Sequence, residues 1–65
     1  MNETTTTTAP VLLTQHELAE LLQMPERTLE DWRLRSSGPA FLKIGRHVRY
    51  EFTDVLAWLG EHRHA

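Results

Sequence analysis

Apolar residues recur at helical spacing in three stretches of this chain and alternate with polar ones in a fourth. In the first stretch Leu18, Ala19, Leu21 and Leu22 share one helical face. Thr14 is a good N-cap for it, and Glu17, three residues on, completes a capping box. Leu13 and Leu18 flank that cap at the spacing of a hydrophobic staple. Gln23-Met24-Pro25 ends the stretch, because the residue before a proline disfavours helical dihedrals.

A second helix is predicted from Pro25 or Glu26, since proline at a helix start lacks only an N–H that would be unpaired there. With Leu29 at the centre of its inner face, Trp32 and Ser36 fall within about 60° of it. Arg27, Asp31 and Leu34 then point the opposite way, with Thr28, Glu30 and Arg35 on the flanks. Ser37-Gly38-Pro39 closes this helix.

From Phe41 to Tyr50 the period changes to two on both sides of Gly45, which predicts a β-hairpin. A three-residue loop, Gly45-Arg46-His47, puts Leu42, Ile44, Val48 and Tyr50 on one face and Lys43 and Arg49 on the other. A two-residue Gly45-Arg46 turn scatters the apolar residues over both faces. Register normally follows the buried face, so the three-residue loop is the expectation. A last helix is predicted with Thr53 as N-cap, Asp54 in its first turn, and Val55, Leu56, Trp58 and Leu59 facing inward. The fold class is therefore mainly α with a small β-hairpin, in the order helix-turn-helix-hairpin-helix.

Sixty-five residues leave room for one small domain, and the absence of cysteine leaves it without disulfides. Capped helices and a few large anchors must hold it: Trp32, Trp58, Phe41, Phe52 and Tyr50. Residues 1–10, with five consecutive threonines, have no apolar period and are expected to be a disordered tail; residues 11–65 form the domain. The chain opens without the basic and apolar regions of a signal peptide. No apolar run reaches the roughly 20 residues of a membrane span, so no membrane association is expected.

The net charge of −2 argues at first against nucleic acid, but its distribution argues for it. Between residues 33 and 49 stand Arg33, Arg35, Lys43, Arg46 and Arg49 and no acid. Phosphate binding needs a local positive face rather than a positive total. Two helices joined by about three residues, followed by a basic hairpin, predict a helix-turn-helix whose second helix enters the major groove and whose wing grips the neighbouring backbone or minor groove. Trp32, Trp58 and Tyr50 read as core. No metal site is expected, because His62 and His64 lie on different sides of a helix and no cysteine joins them. The side-chain inventory offers no cysteine nucleophile and no phosphate-cradling glycine loop, so neither enzyme activity nor a cofactor is expected.

Two stretches carry a family resemblance. Leu12-Leu13-Thr14…Glu17-Leu18-Ala19-Glu20-Leu21-Leu22…Arg27-Thr28-Leu29…Trp32-Arg33 is the first, and Phe41-Leu42-Lys43-Ile44-Gly45-Arg46…Val48-Arg49-Tyr50…Asp54-Val55…Ala57-Trp58-Leu59 is the second. Together they resemble the phage excisionase family, MerR-like winged helix-turn-helix domains that serve as recombination directionality factors, over residues 11–62. The resemblance implies binding to double-stranded DNA beside a phage attachment site and DNA bending. It also implies promotion of excision by a cognate integrase, cooperative self-association on DNA, and residence in the cytoplasm of the bacterial host. It implies that Arg27, Thr28 and Asp31 face base edges, with Arg33 and Arg35 on phosphates. Lys43, Arg46, His47 and Arg49 would be the wing contacts. The family includes small MerR-like and AlpA-like transcriptional regulators, so regulation is the alternative role. The chain departs from the pattern at Pro25, where relatives often have a Ser or Thr cap, and at Glu30 and Asp31, where they often have basic or aromatic residues. Asp31 could accept a bond from a cytosine amino group, or pair with Arg27 or Arg35 one turn away. Since Glu30 and Asp31 offset the charge of the second helix, the wing is expected to supply much of the affinity. Arg27 and Thr28 are expected to supply the sequence preference.

Overall fold

The computed structural model describes residues 9–64; the threonine run lies outside the described residues. The elements run β1 (Leu12–Leu13), α1 (Gln15–Leu22), α2 (Glu26–Leu34), β2 (Leu42–Ile44), β3 (His47–Glu51) and α3 (Phe52–Glu61). The three strands form an antiparallel sheet in the order β1-β3-β2.

Helix α1 starts as its sequence dictates. The Thr14 hydroxyl accepts from the Glu17 N–H at 3.0 Å, and the Glu17 carboxylate accepts from the Thr14 N–H at 2.9 Å. Its C-terminal end closes on Gln23 in the left-handed region, φ 57°. The N–H groups of Met24 and Gln23 return to the carbonyls of Ala19 and Glu20, which is a Schellman motif. Helix α2 ends the same way one helix later. Ser36 sits at φ 53°, with Ser37 N–H donating to the Trp32 carbonyl at 2.7 Å and Ser36 N–H to that of Arg33. Ser36 is therefore exposed beyond the end of α2 and not on its inner face, because the helical period stops at Leu34.

The core is one cluster: Leu18 and Ala19 of α1, Leu29 of α2, Tyr50 of β3 and Val55 of α3, with Leu13, Leu22, Trp32 and Val48 packed against it. Trp32 and Trp58 join α2 to α3, their rings tilted at 53° with centroids 5.3 Å apart. Gly38, at φ 81°, lies directly under Trp32: a Cβ there would stand 2.7 Å from Trp32 Cε3.

Three further sequence expectations need correction. The hairpin turn has two residues, Gly45-Arg46, pairing Ile44 with His47, Lys43 with Val48 and Leu42 with Arg49. Gly45 at φ 62° supplies the positive φ that a two-residue turn with glycine first requires. The small core needs only Val48 and Tyr50 from the hairpin, so Leu42 and Ile44 are left exposed, and Lys43 and Arg49 fall on opposite faces. Helix α3 begins at Phe52, not after Thr53, because β3 runs straight into it. The Phe52 N–H is satisfied by the Val11 carbonyl, and Thr53 instead donates its hydroxyl to the Glu51 carboxylate. Finally, only Val55 of α3 is fully buried; Leu56 and Leu59 are exposed because nothing packs over that side of the helix among the described residues.

Candidate nucleic-acid interface

The candidate interface is built on α2 and the β2–β3 hairpin. Three residues, Gln23 to Pro25, separate α1 from α2, and Pro25 holds the N-cap position with extended backbone at φ −65°, ψ 147°. Proline has no side-chain cap to offer, so α2 is held at its start from α1 instead. Gln15 Nε2 donates to Glu26 and Glu30 at 3.0 Å each, and His16 Nδ1 lies 2.9 Å from the Glu26 carboxylate. The other ring nitrogen of His16 faces Glu20 at 3.5 Å. This clamp fixes the first turn of α2 against α1.

The clamp is ionic and therefore titrates. The bond to Glu26 and the charges of Glu20 and Glu26 raise the His16 pKa above its ordinary value of 6.5. The bonds from Gln15 and His16 lower that of Glu26 below 4.5. A raised histidine stabilises the fold fully below its unfolded pKa and loses the effect as pH rises through the folded one. A lowered carboxylate does so above its unfolded pKa and loses the effect as pH falls. Both contributions are complete between about pH 4.5 and 6.5. The His16 ring proton followed by NMR should show a midpoint above 6.5, and Glu26→Gln should bring it down. An unchanged midpoint in that variant would remove Glu26 as the principal partner.

The outward line of α2 carries Arg27 and Leu34, both exposed, with Asp31 between them. Asp31 is paired with Arg35, Oδ2 to Nε at 3.2 Å, one helical turn away. Thr28 is half-buried at the helix start. Arg33 turns inward: its Nη1 donates to the Tyr50 hydroxyl at 2.8 Å, and its guanidinium lies 5.8 Å from the centroid of the Phe41 ring. That bond satisfies the one polar atom of a side chain only 1% exposed, so Arg33 locks α2 to β3. The sequence does carry a signal for this inward turn: Arg33 stands four residues after Leu29, within about 60° of the centre of the inner face, although its charge groups it with the basic run.

On the hairpin, Arg46 is exposed in the turn, and His47 and Arg49 share the outer face with Leu42 and Ile44. Arg49 donates to the Val48 carbonyl at 2.8 Å. Lys43 is exposed on the side of Val48, near the tip. Arg27, Lys43 and Arg46 make no ion pair among the described residues, which leaves their charge available to phosphate or base edges. At the far end of the domain His62 is engaged differently. Its Nδ1 donates to the Trp58 carbonyl at 2.8 Å, and its ring lies against that of Trp58, tilted at 44° with centroids 4.3 Å apart. No helix among the described residues is long and apolar enough to cross a membrane.

A short-turn pair of helices backed by a strand-paired wing, with unopposed cations on the second helix and the wing tip, defines a winged helix-turn-helix of the DNA-binding class. A family model described as a helix-turn-helix domain matches residues 12–63, nearly the whole described chain. The protein belongs to that helix-turn-helix family. No curated protein matches it.

Proposed function

We propose that this protein is an excisionase-type recombination directionality factor. In this reading it binds duplex DNA beside a phage attachment site in the bacterial cytoplasm. Copies assemble cooperatively, the DNA bends, and a cognate integrase is turned toward excision. The role is binding, without catalysis. The observation that carries the DNA-binding part is the exposed Arg27 at the start of α2, without an ion pair among the described residues, together with Arg46 in the wing turn. Arg27 with Thr28 then reads base edges, because the N-terminal residues of a recognition helix enter the groove first. Arg46, with His47, Lys43 and Arg49 around it, grips the backbone or minor groove. Arg35, tied to Asp31, contributes less free charge than Arg27, and Arg33 acts by holding α2 in place.

Gel-shift titration at fixed salt tests the surface. Arg27→Ala is expected to cost about 1–3 kcal/mol on the preferred site and to relax sequence preference. Arg46→Ala should weaken all sequences alike and lower the salt slope by about 0.9. Unchanged affinity in both variants would place the interface elsewhere. An excision reaction with the partner integrase tests the role. Stimulation by the protein supports directionality control, and specific binding without stimulation would mark it as a small transcriptional regulator.

A further inference from the structure

Leu34 is the most exposed large apolar residue of the described chain, at 86%. Its place is not arbitrary. Seven residues after Arg27, it falls almost on the same line of α2, about 10 Å further along the axis. Both lie opposite Leu29, which is fully buried. The residue between them on this line, Asp31, is engaged by Arg35. That ion pair cancels charge on both sides of Leu34, so the C-terminal half of the line offers an apolar contact where the N-terminal half offers a cation. Among the described residues nothing covers it.

On the reading that α2 enters the major groove, we infer that Leu34 is a specificity-determining residue that contacts the C5-methyl group of a thymine. That methyl is the apolar feature by which the major groove marks a thymine. A guanidinium aimed at guanine N7 and O6 from Arg27, and a leucine side chain about 10 Å along the same line, read two positions about three base pairs apart. The helix thus carries a polar reader and an apolar reader, and the acidic residue between them, Asp31, is held by Arg35.

The test starts from the duplex that the full chain selects out of a randomised pool. Each thymine of that duplex is then replaced singly by deoxyuridine, which deletes only the methyl group. For the natural chain, one replacement should weaken binding about fourfold, the worth of one buried methyl. That thymine should stand about three base pairs from the guanine whose loss Arg27→Ala no longer feels. Leu34→Ala should bind the thymine duplex about fourfold more weakly than the natural chain and should be indifferent to the uridine replacement. Because Leu34 is exposed, this variant should keep the circular dichroism and thermal midpoint of the natural chain. A Leu34→Ala chain that still loses affinity on the same replacement, or that weakens thymine and uridine duplexes equally, overturns the assignment while leaving DNA binding intact. A natural chain with no salt-dependent binding to any duplex overturns both the assignment and the reading on which it rests.

Discussion

Gly38→Ala is expected to destabilise the domain by about 2–5 kcal/mol, enough to unfold much of it at room temperature. Two costs add. At φ 81° an L side chain is strained, at roughly 1–2 kcal/mol. The new methyl would also stand 2.7 Å from Trp32 Cε3 and 3.1 Å from Trp32 Cβ and Cδ2. The ring cannot swing aside freely, because its other neighbour is Trp58 with centroids 5.3 Å apart. Overpacking of this kind costs about 1–3 kcal/mol, and a domain of this size holds only about 3–5 kcal/mol in total. Gly45→Ala is the control. Its φ of 62° is equally unsuited to alanine, but nothing lies within 4 Å of the added methyl, so only the conformational cost of about 1–2 kcal/mol applies. Urea unfolding of the two variants separates the effects. Equal midpoints would mean that the contact with Trp32 contributes nothing.

Tyr50→Ala should be as damaging, at about 3–5 kcal/mol, for a different reason. Tyr50 is 1% exposed on the central strand, beside Leu13 of β1, with the Phe41 ring 6.3 Å away. Removing its ring opens a cavity where helices and sheet meet. Tyr50→Phe keeps the ring and deletes only the acceptor for Arg33. Its expected cost is about 1–2 kcal/mol, since Arg33 is half-buried and loses a partner. Thermal unfolding should therefore rank the natural chain, Tyr50→Phe and Tyr50→Ala in that order. If Tyr50→Phe were as stable as the natural chain, the bond to Arg33 would be idle.

What could be read from the sequence was what is decided locally. The capping box at Thr14 and Glu17, the short turn before α2, the inward placing of Leu18, Leu29 and Val55, and the exposed position of Arg27 all follow from spacing of a few residues. What escaped it depends on partners distant in the chain. β1 is two residues long and exists only because β3 offers it an edge. Arg33 falls on the inner face one turn after Leu29, but its partner, the Tyr50 hydroxyl, comes from a strand distant in the chain. Alternation alone misplaces the hairpin register, because Leu42 and Ile44 stay exposed and only Val48 and Tyr50 turn inward. The helices fill the core with so little help that Gly45 could settle the turn instead. For the candidate interface, the pairing of Asp31 with Arg35 is legible as a one-turn spacing, but the placing of Lys43 and Arg49 on opposite faces of the hairpin is not.

The lead-in strand has a practical corollary for anyone wishing to watch this molecule at work. β1 runs antiparallel to β3 with Leu12 beside Glu51, at the end of β3 remote from the turn. A fluorophore or fusion partner attached ahead of Val11 would enter about four strand residues, roughly 13 Å, from His47 at the wing tip. Trimming must stop short of Val11, whose carbonyl caps the Phe52 N–H, but extension at that edge leaves the proposed recognition surface open to a probe.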